Sequence, residues 1–176
     1  MSGVINSIVL KVASRCNINC TYCYEYNRGD NTWQGMPKSI SNGLAEQVGR
    51  RVRDYCISND LDSFQINLHG GEPFIIGAQK IDGIISCIKR AANGVNVSFG
   101  AQTNGTLITD EILDVIKLHN IKVGVSLDGD EASNMFRVDH EGHATWARAV
   151  AGLSAINSVS ALTGIQAVIN LESDPH

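Results

Sequence analysis

The chain has 176 residues, 43% of them hydrophobic and 18% charged, with a formal net charge of -4. That is the size and balance of one soluble globular domain with room for a substantial apolar core. The small acidic surplus gives no footprint for nucleic acid or an anionic membrane, and no apolar run approaches the ~20 residues that span a bilayer.

Met-Ser-Gly-Val-Ile at the start lacks the basic region of a signal peptide, so the cytoplasm is the expected location. Residues 5–12 alternate as a first strand. Beyond it stand Cys16, Cys20 and Cys23, in Cys-Asn-Ile-Asn-Cys-Thr-Tyr-Cys. The polar, aromatic and glycine-containing run from Cys23 to Ser39 is long enough to be a functional loop. A helix is predicted from Ser41 to about Ser58, capped by Ser39 or Ser41, with Leu44, Val48, Val52 and Tyr55 on one stripe. Arg50, Arg51 and Arg53 form its solvated face.

Phe64, Ile66 and Leu68 mark strand two, and Lys80 to Ala92 the next helix, stopped by Asn93-Gly94. Val95, Val97 and Phe99 give strand three. Thr109 caps a helix whose first turn carries Asp110 and Glu111. Ile121 to Leu127 is strand four, Trp146, Ala149, Val150 and Leu153 define a last helix, and Gly164 to Asn170 is strand five. Alternating strands and helices with connections of this length predict a parallel α/β sheet. Cys56 and Cys87 fall on or beside the helical stripes as small buried hydrophobes, and an odd total of five cysteines argues against a disulfide framework.

Polar, glycine-bearing clusters follow the strand ends: the cysteine loop, His69-Gly70-Gly71-Glu72-Pro73, Gln102-Thr103-Asn104-Gly105-Thr106 and Ser126-Leu127-Asp128-Gly129. In a parallel sheet these all reach one face, where α/β folds build their sites. Three closely spaced thiolates suit an iron–sulfur cluster, and because a four-iron cubane usually takes four, one iron is left to bind something else. Zinc, with His69 as a fourth ligand, is the competing reading. Tyr22 offers a ring to a flat base, Gly70 and Gly71 let a ligand near the backbone, and Glu72 offers acceptors to an ammonium group. Asn104-Gly105 also suits a tight turn. Ser126 suits a ribose hydroxyl, Asp128 the substrate side, and the Arg137 fork a carboxylate.

Together, Cys16-x-x-x-Cys20-x-Tyr22-Cys23, Gly70-Gly71-Glu72-Pro73, Gln102-x-Asn104-Gly105 and Ser126-x-Asp128-Gly129 resemble the radical S-adenosylmethionine (SAM) superfamily. The likeness spans about residues 5 to 170 and implies a partial (β/α) barrel. Lys11 to Cys16, Tyr24-Glu-Tyr26, Trp33-Gln-Gly35, Leu68 to Pro73 and Val125 to Asp130 further resemble SPASM-type peptide maturases, those forming cyclophane crosslinks above all. The resemblance implies that Cys16, Cys20 and Cys23 hold a [4Fe-4S] cluster whose fourth iron chelates SAM. It places Glu72, Gly70 and Gly71 at the SAM ammonium, Ser126 at the ribose and Tyr22 by the adenine. Asn104 joins the same cofactor site, with Arg137 as a carboxylate partner. One electron would cleave SAM to methionine and a 5′-deoxyadenosyl radical that takes hydrogen from a peptide side chain. A peptide substrate and an electron donor such as a flavodoxin or ferredoxin are the implied partners.

The departure is at the C-terminus. Family cores resemble six β/α units, and five strands are counted before Leu171-Glu-Ser-Asp-Pro-His176. Residues 1–176 are therefore expected to form one core domain, incomplete at its C-terminal end and without the SPASM domain. A C-terminal partner chain, or a catalytically inactive remnant with a metal-binding or structural role, are the expectations that follow.

Overall fold

The computed structural model describes residues 3–169. Its strands are β1 (Ser7–Ala13), β2 (Ser63–Gly70), β3 (Asn96–Thr103), β4 (Lys122–Ser126) and β5 (Leu162–Gln166). All neighbouring pairs are parallel, in the order β1-β2-β3-β4-β5, and the sheet is not closed. Sequential parallel strands require crossovers. These are α1 (Asn42–Ser58), α2 (Ala78–Ala91), α3 (Asp110–His119) and α4 (Trp146–Ser158). The expected partial barrel is the observed architecture.

Period-two alternation divides the sheet. On β2, Phe64, Ile66 and Leu68 are buried under the helices, while Gln65, Asn67 and His69 face the other way. Ile81, Ile84, Ile85 and Ile88 of α2 meet them from the helix layer, and all four are fully buried. Cys56 and Cys87 lie in this core, as expected of small hydrophobes. Among the described residues no helix is long and apolar enough to cross a membrane.

The cap of α1 is Ser41, whose hydroxyl accepts from Leu44 N at 3.1 Å; Ser39 instead bridges antiparallel to Ala13. Thr109 caps α3 as predicted. β3 runs to Thr103, beyond the apolar alternation ending at Phe99, because its upper residues still pair with β4. β5 begins two residues before the predicted Gly164 and ends at Gln166. Its end has a local cause: Val168 N donates to the Asp128 carboxylate at 2.9 Å instead of continuing the ladder. Asn170, the predicted last residue of that strand, and residues 171–176 lie outside the described residues.

Candidate functional site

The C-terminal strand ends surround a cavity of about 360 Å³. Cys16, Cys20 and Cys23 line it from the β1 side, with Tyr22 beside them. Gly70 and Gly71 come from the end of β2, Asn104 from beyond β3, Ser126 from β4 and Arg137 from the loop before α4. Three openings are larger, of about 670 and 460 Å³ beside α1 and about 470 Å³ at the start of α3, and none is lined by a thiol. Volume therefore does not locate the chemistry; the convergence of functional groups does.

The backbone around the cysteines is fixed on several sides. Cys23 N donates to Cys20 O, and Asn27 N to Cys23 O, each at 2.9 Å. Asn19 N and Thr21 N bond the carbonyls of Val138 and Phe136, and His140 Nε2 meets Cys16 O at 3.0 Å. His140 has no partner spacing in the sequence and so no expected role; its partner is a backbone carbonyl 124 residues away. Gly70 and Gly71 press β2 against the start of this loop. A Cβ on Gly70 would collide with the Ala13 carbonyl, and one on Gly71 would lie 2.5 Å from the Arg15 carbonyl. The close approach these glycines permit is thus first to the chain itself, while both still face the cavity.

Glu72 departs from expectation. Its side chain is fully buried and does not line the cavity. Oε1 accepts from Phe74 N at 3.1 Å and Thr103 Oγ1 at 2.7 Å, and Oε2 from Asn104 N at 2.7 Å. Both oxygens are committed to tying the ends of β2 and β3 together, so the carboxylate is not presented to a ligand ammonium. Burial pushes its pKa up to about 7, against these three donors, which pull it down.

Asn104 bridges inward too. Nδ2 donates to Asn17 Oδ1 at 3.0 Å and lies 3.8 Å from Cys16 Sγ, while Oδ1 accepts from Thr106 N and Oγ1. Arg137 is buried and already has a carboxylate. Its Nε is 2.9 Å from Asp128 Oδ2, off the N–H axis, and the directed bond runs from Nη2 to Oδ1 at 3.2 Å. Nη1 is 4.0 Å from Cys20 Sγ, and the guanidinium lies 5.7 Å from the centre of the Tyr22 ring. The Tyr22 hydroxyl donates to Asp128 as well. Asp128 therefore ties the cysteine loop to the end of β4. Expected on the substrate side, it is instead buried in this internal network, which also claims the Arg137 fork, while the Tyr22 ring still borders the cavity. Short-range motifs do not reveal such a pairing, because the partners lie 106 and nine residues from Asp128.

Burial dominates the thiols, pushing Cys16 up to about 12 and raising Cys20, whose shift the Arg137 charge opposes. A soft cation would displace these protons on binding. Among the described residues, no three His, Cys, Asp or Glu side chains converge on a point that one ion could occupy. The three thiols line one side of the cavity, a soft donor set that suits a thiophilic group. His69 lines the same cavity, with Nδ1 3.1 Å from Gly70 O.

Known proteins resemble the chain along most of its length. Residues 10–166 match the radical SAM superfamily profile. An uncharacterised protein of Methanocaldococcus jannaschii is 30% identical over 169 residues, covering 96% of this chain and 54% of that protein. A cysteine-type anaerobic sulfatase-maturating enzyme of Clostridium novyi is 26% identical over 174 residues, covering 98% of this chain and 46% of the enzyme. The solved structure of native anSMEcpe with bound AdoMet and the Kp18Cys peptide superposes with a TM-score of 0.78 at 22% identity, over 93% of this chain and 43% of that one. The chain thus spans about half the length of these relatives.

Proposed function

The chain belongs to the radical SAM superfamily, and from that premise we propose that it is the core domain of a SAM-dependent radical enzyme acting on a peptide. Residues 1–176 are read as one such domain. Cys16, Cys20 and Cys23 would hold a [4Fe-4S] cluster. Reductive cleavage of SAM to methionine and a 5′-deoxyadenosyl radical, with hydrogen abstraction from a peptide side chain, is the chemistry such a cluster supplies when bound. The observation carrying the reading is the single cavity into which three thiols, two glycines and Ser126 all open.

The protein's own contribution is placement. Gly70 and Gly71 border the cavity without side chains, leaving backbone groups for an ammonium where the Glu72 side chain is committed elsewhere. Ser126 presents a hydroxyl to the ribose. Tyr22 borders the cavity and is held by Asp128. Arg137 places a positive charge beside Cys20 and is itself paired with Asp128, so a SAM carboxylate would compete with that partner for its fork.

A ribosomally made peptide receiving a crosslink is the substrate reading favoured by the segments around Trp33-Gln-Gly35 and Val125 to Asp130. A flavodoxin or ferredoxin would supply the electron, and a partner chain would complete the peptide site. The test is anaerobic reconstitution with iron and sulfide, then reduction with SAM present. Cluster absorbance with 5′-deoxyadenosine release, both lost in Cys20→Ala, is the expected result. A stoichiometric zinc site without iron or sulfide would overturn it in favour of a metal-binding structural module.

A further inference from the structure

We propose that Gln102 is a positioning residue that aims the Ser126 hydroxyl at the SAM ribose, and that Gly124 exists to let it do so; this rests on the SAM-binding reading above. Gln102 and Gly124 are register partners on β3 and β4. The Gln102 side chain does not stand off the sheet. It lies flat across Gly124, where a Cβ would collide with its amide oxygen, and reaches Ser126, one rung higher on the same face. There Nε2 donates to Ser126 Oγ at 2.8 Å.

The consequence follows from hydroxyl chemistry. A serine hydroxyl carries one donor and two acceptor lone pairs, and its hydrogen rotates to suit its partners. With one lone pair held by the amide, the remaining donor and acceptor are restricted to directions away from Gln102. Gln102 and Ser126 both line the cavity with the three thiols, so those directions include the ligand space. A ribose diol, which presents both donors and acceptors, is the complementary partner. Fixing the rotor beforehand lowers the ordering cost of binding.

The same device recurs one rung lower. Asn67 pairs in register with Gly100, a Cβ on Gly100 would collide with the Asn67 amide oxygen, and Gln65 Nε2 donates to Asn67 Oδ1 at 2.9 Å. Neither Asn67 nor Gly100 lines the thiol cavity. The lower pair is thus an internal control, with the same amide-over-glycine packing and no ligand to orient.

The experiment measures SAM affinity by equilibrium dialysis on anaerobically reconstituted protein, with iron and sulfide content determined for every variant. Gln102→Met keeps the length and removes the donor, and Gly124→Ala drives the amide off its path. Both are expected to bind SAM about tenfold more weakly, the scale of one lost oriented hydrogen bond, with iron and sulfide at wild-type stoichiometry. Against a SAM analogue lacking the ribose hydroxyls, the two variants and the parent are expected to bind alike. Asn67→Leu and Gly100→Ala should leave SAM affinity within twofold of the parent. Should the parent itself fail to bind SAM, the SAM-binding reading falls and this inference with it. If the parent binds while Gln102→Met and Gly124→Ala match it, Gln102 does not position Ser126. Equal losses with SAM and its deoxy analogue, equal losses in the Asn67 and Gly100 variants, or loss of iron and sulfide in both upper variants would each replace positioning with a structural role.

Discussion

On the helix-covered face of the sheet, Phe64, Ile66 and Leu68 are buried against fully buried isoleucines of α2. On the opposite face the intervening Gln65, Asn67 and His69, with Gln102 and Ser126 farther along, are partly open and bonded mostly to one another or to backbone. The first face is held by area removed from water and by close packing, which are non-directional. The second is held by directed bonds, and glycines at Gly100 and Gly124 give amide side chains room to lie flat. One face makes the protein stable; the other, where it meets the cysteine loop, makes a place for chemistry.

The largest effect that would sharpen this contrast comes from the thiols. Cys16→Ala should lose the cluster and all 5′-deoxyadenosine release, while thermal unfolding of the unreconstituted protein shifts little. Loss of the folded transition instead would mean that the site and the core are not separable.

The helix face should respond the other way. Ile84 is fully buried in α2, so Ile84→Ala should cost about 2–5 kcal/mol in urea unfolding through lost transfer and the cavity left behind. The surviving folded fraction should still load iron. A cost near zero would show that this layer is loosely packed.

Glu72 sits between the two regimes. Its folded pKa of about 7 lies above the ordinary carboxylate value of 4.5. The native state therefore holds the proton more tightly than the unfolded chain, and the contribution of this residue to stability falls as pH rises from about 4.5 to 7, then levels off. Glu72→Gln should abolish that part of the slope in urea melts across this range. It should also cost about 1–3 kcal/mol, because an amide NH2 cannot accept from Asn104 N. An unchanged slope would assign the pH dependence to other groups. The smallest effect is expected at Asn67→Ala, within about 0.5 kcal/mol for a partly exposed residue away from the cavity.

The helix face was readable in the sequence because burial imposes a period. Val52 and Cys56 on α1, or Ile81, Ile84, Ile85 and Ile88 on α2, announce their helices, although Leu44 of the expected α1 stripe is exposed, and Thr109 announces where α3 starts. Strand ends were less readable where bonding rather than hydrophobicity sets them, as at β5, stopped by the Asp128–Val168 contact. The site was readable as a set of motifs, and the predicted ligand-facing positions other than Glu72 and Asp128 do line one cavity. Partner choice was hidden. Glu72, Tyr22 and Arg137 each suit a ligand by residue type, yet their polar atoms are taken by Thr103, Asn104 and Asp128. Residue chemistry names what a side chain can bond; only the fold decides whether the protein claims that bond first.

The central claim is that three thiolates from one loop leave a metal corner open for SAM. Electron–nuclear double resonance on the reduced, reconstituted protein with isotopically labelled SAM tests it most directly. Hyperfine coupling between the cluster spin and the labelled amino and carboxylate groups is the predicted result. A reduced cluster whose spectrum shows no coupling to either label, at SAM concentrations that saturate binding, would contradict it.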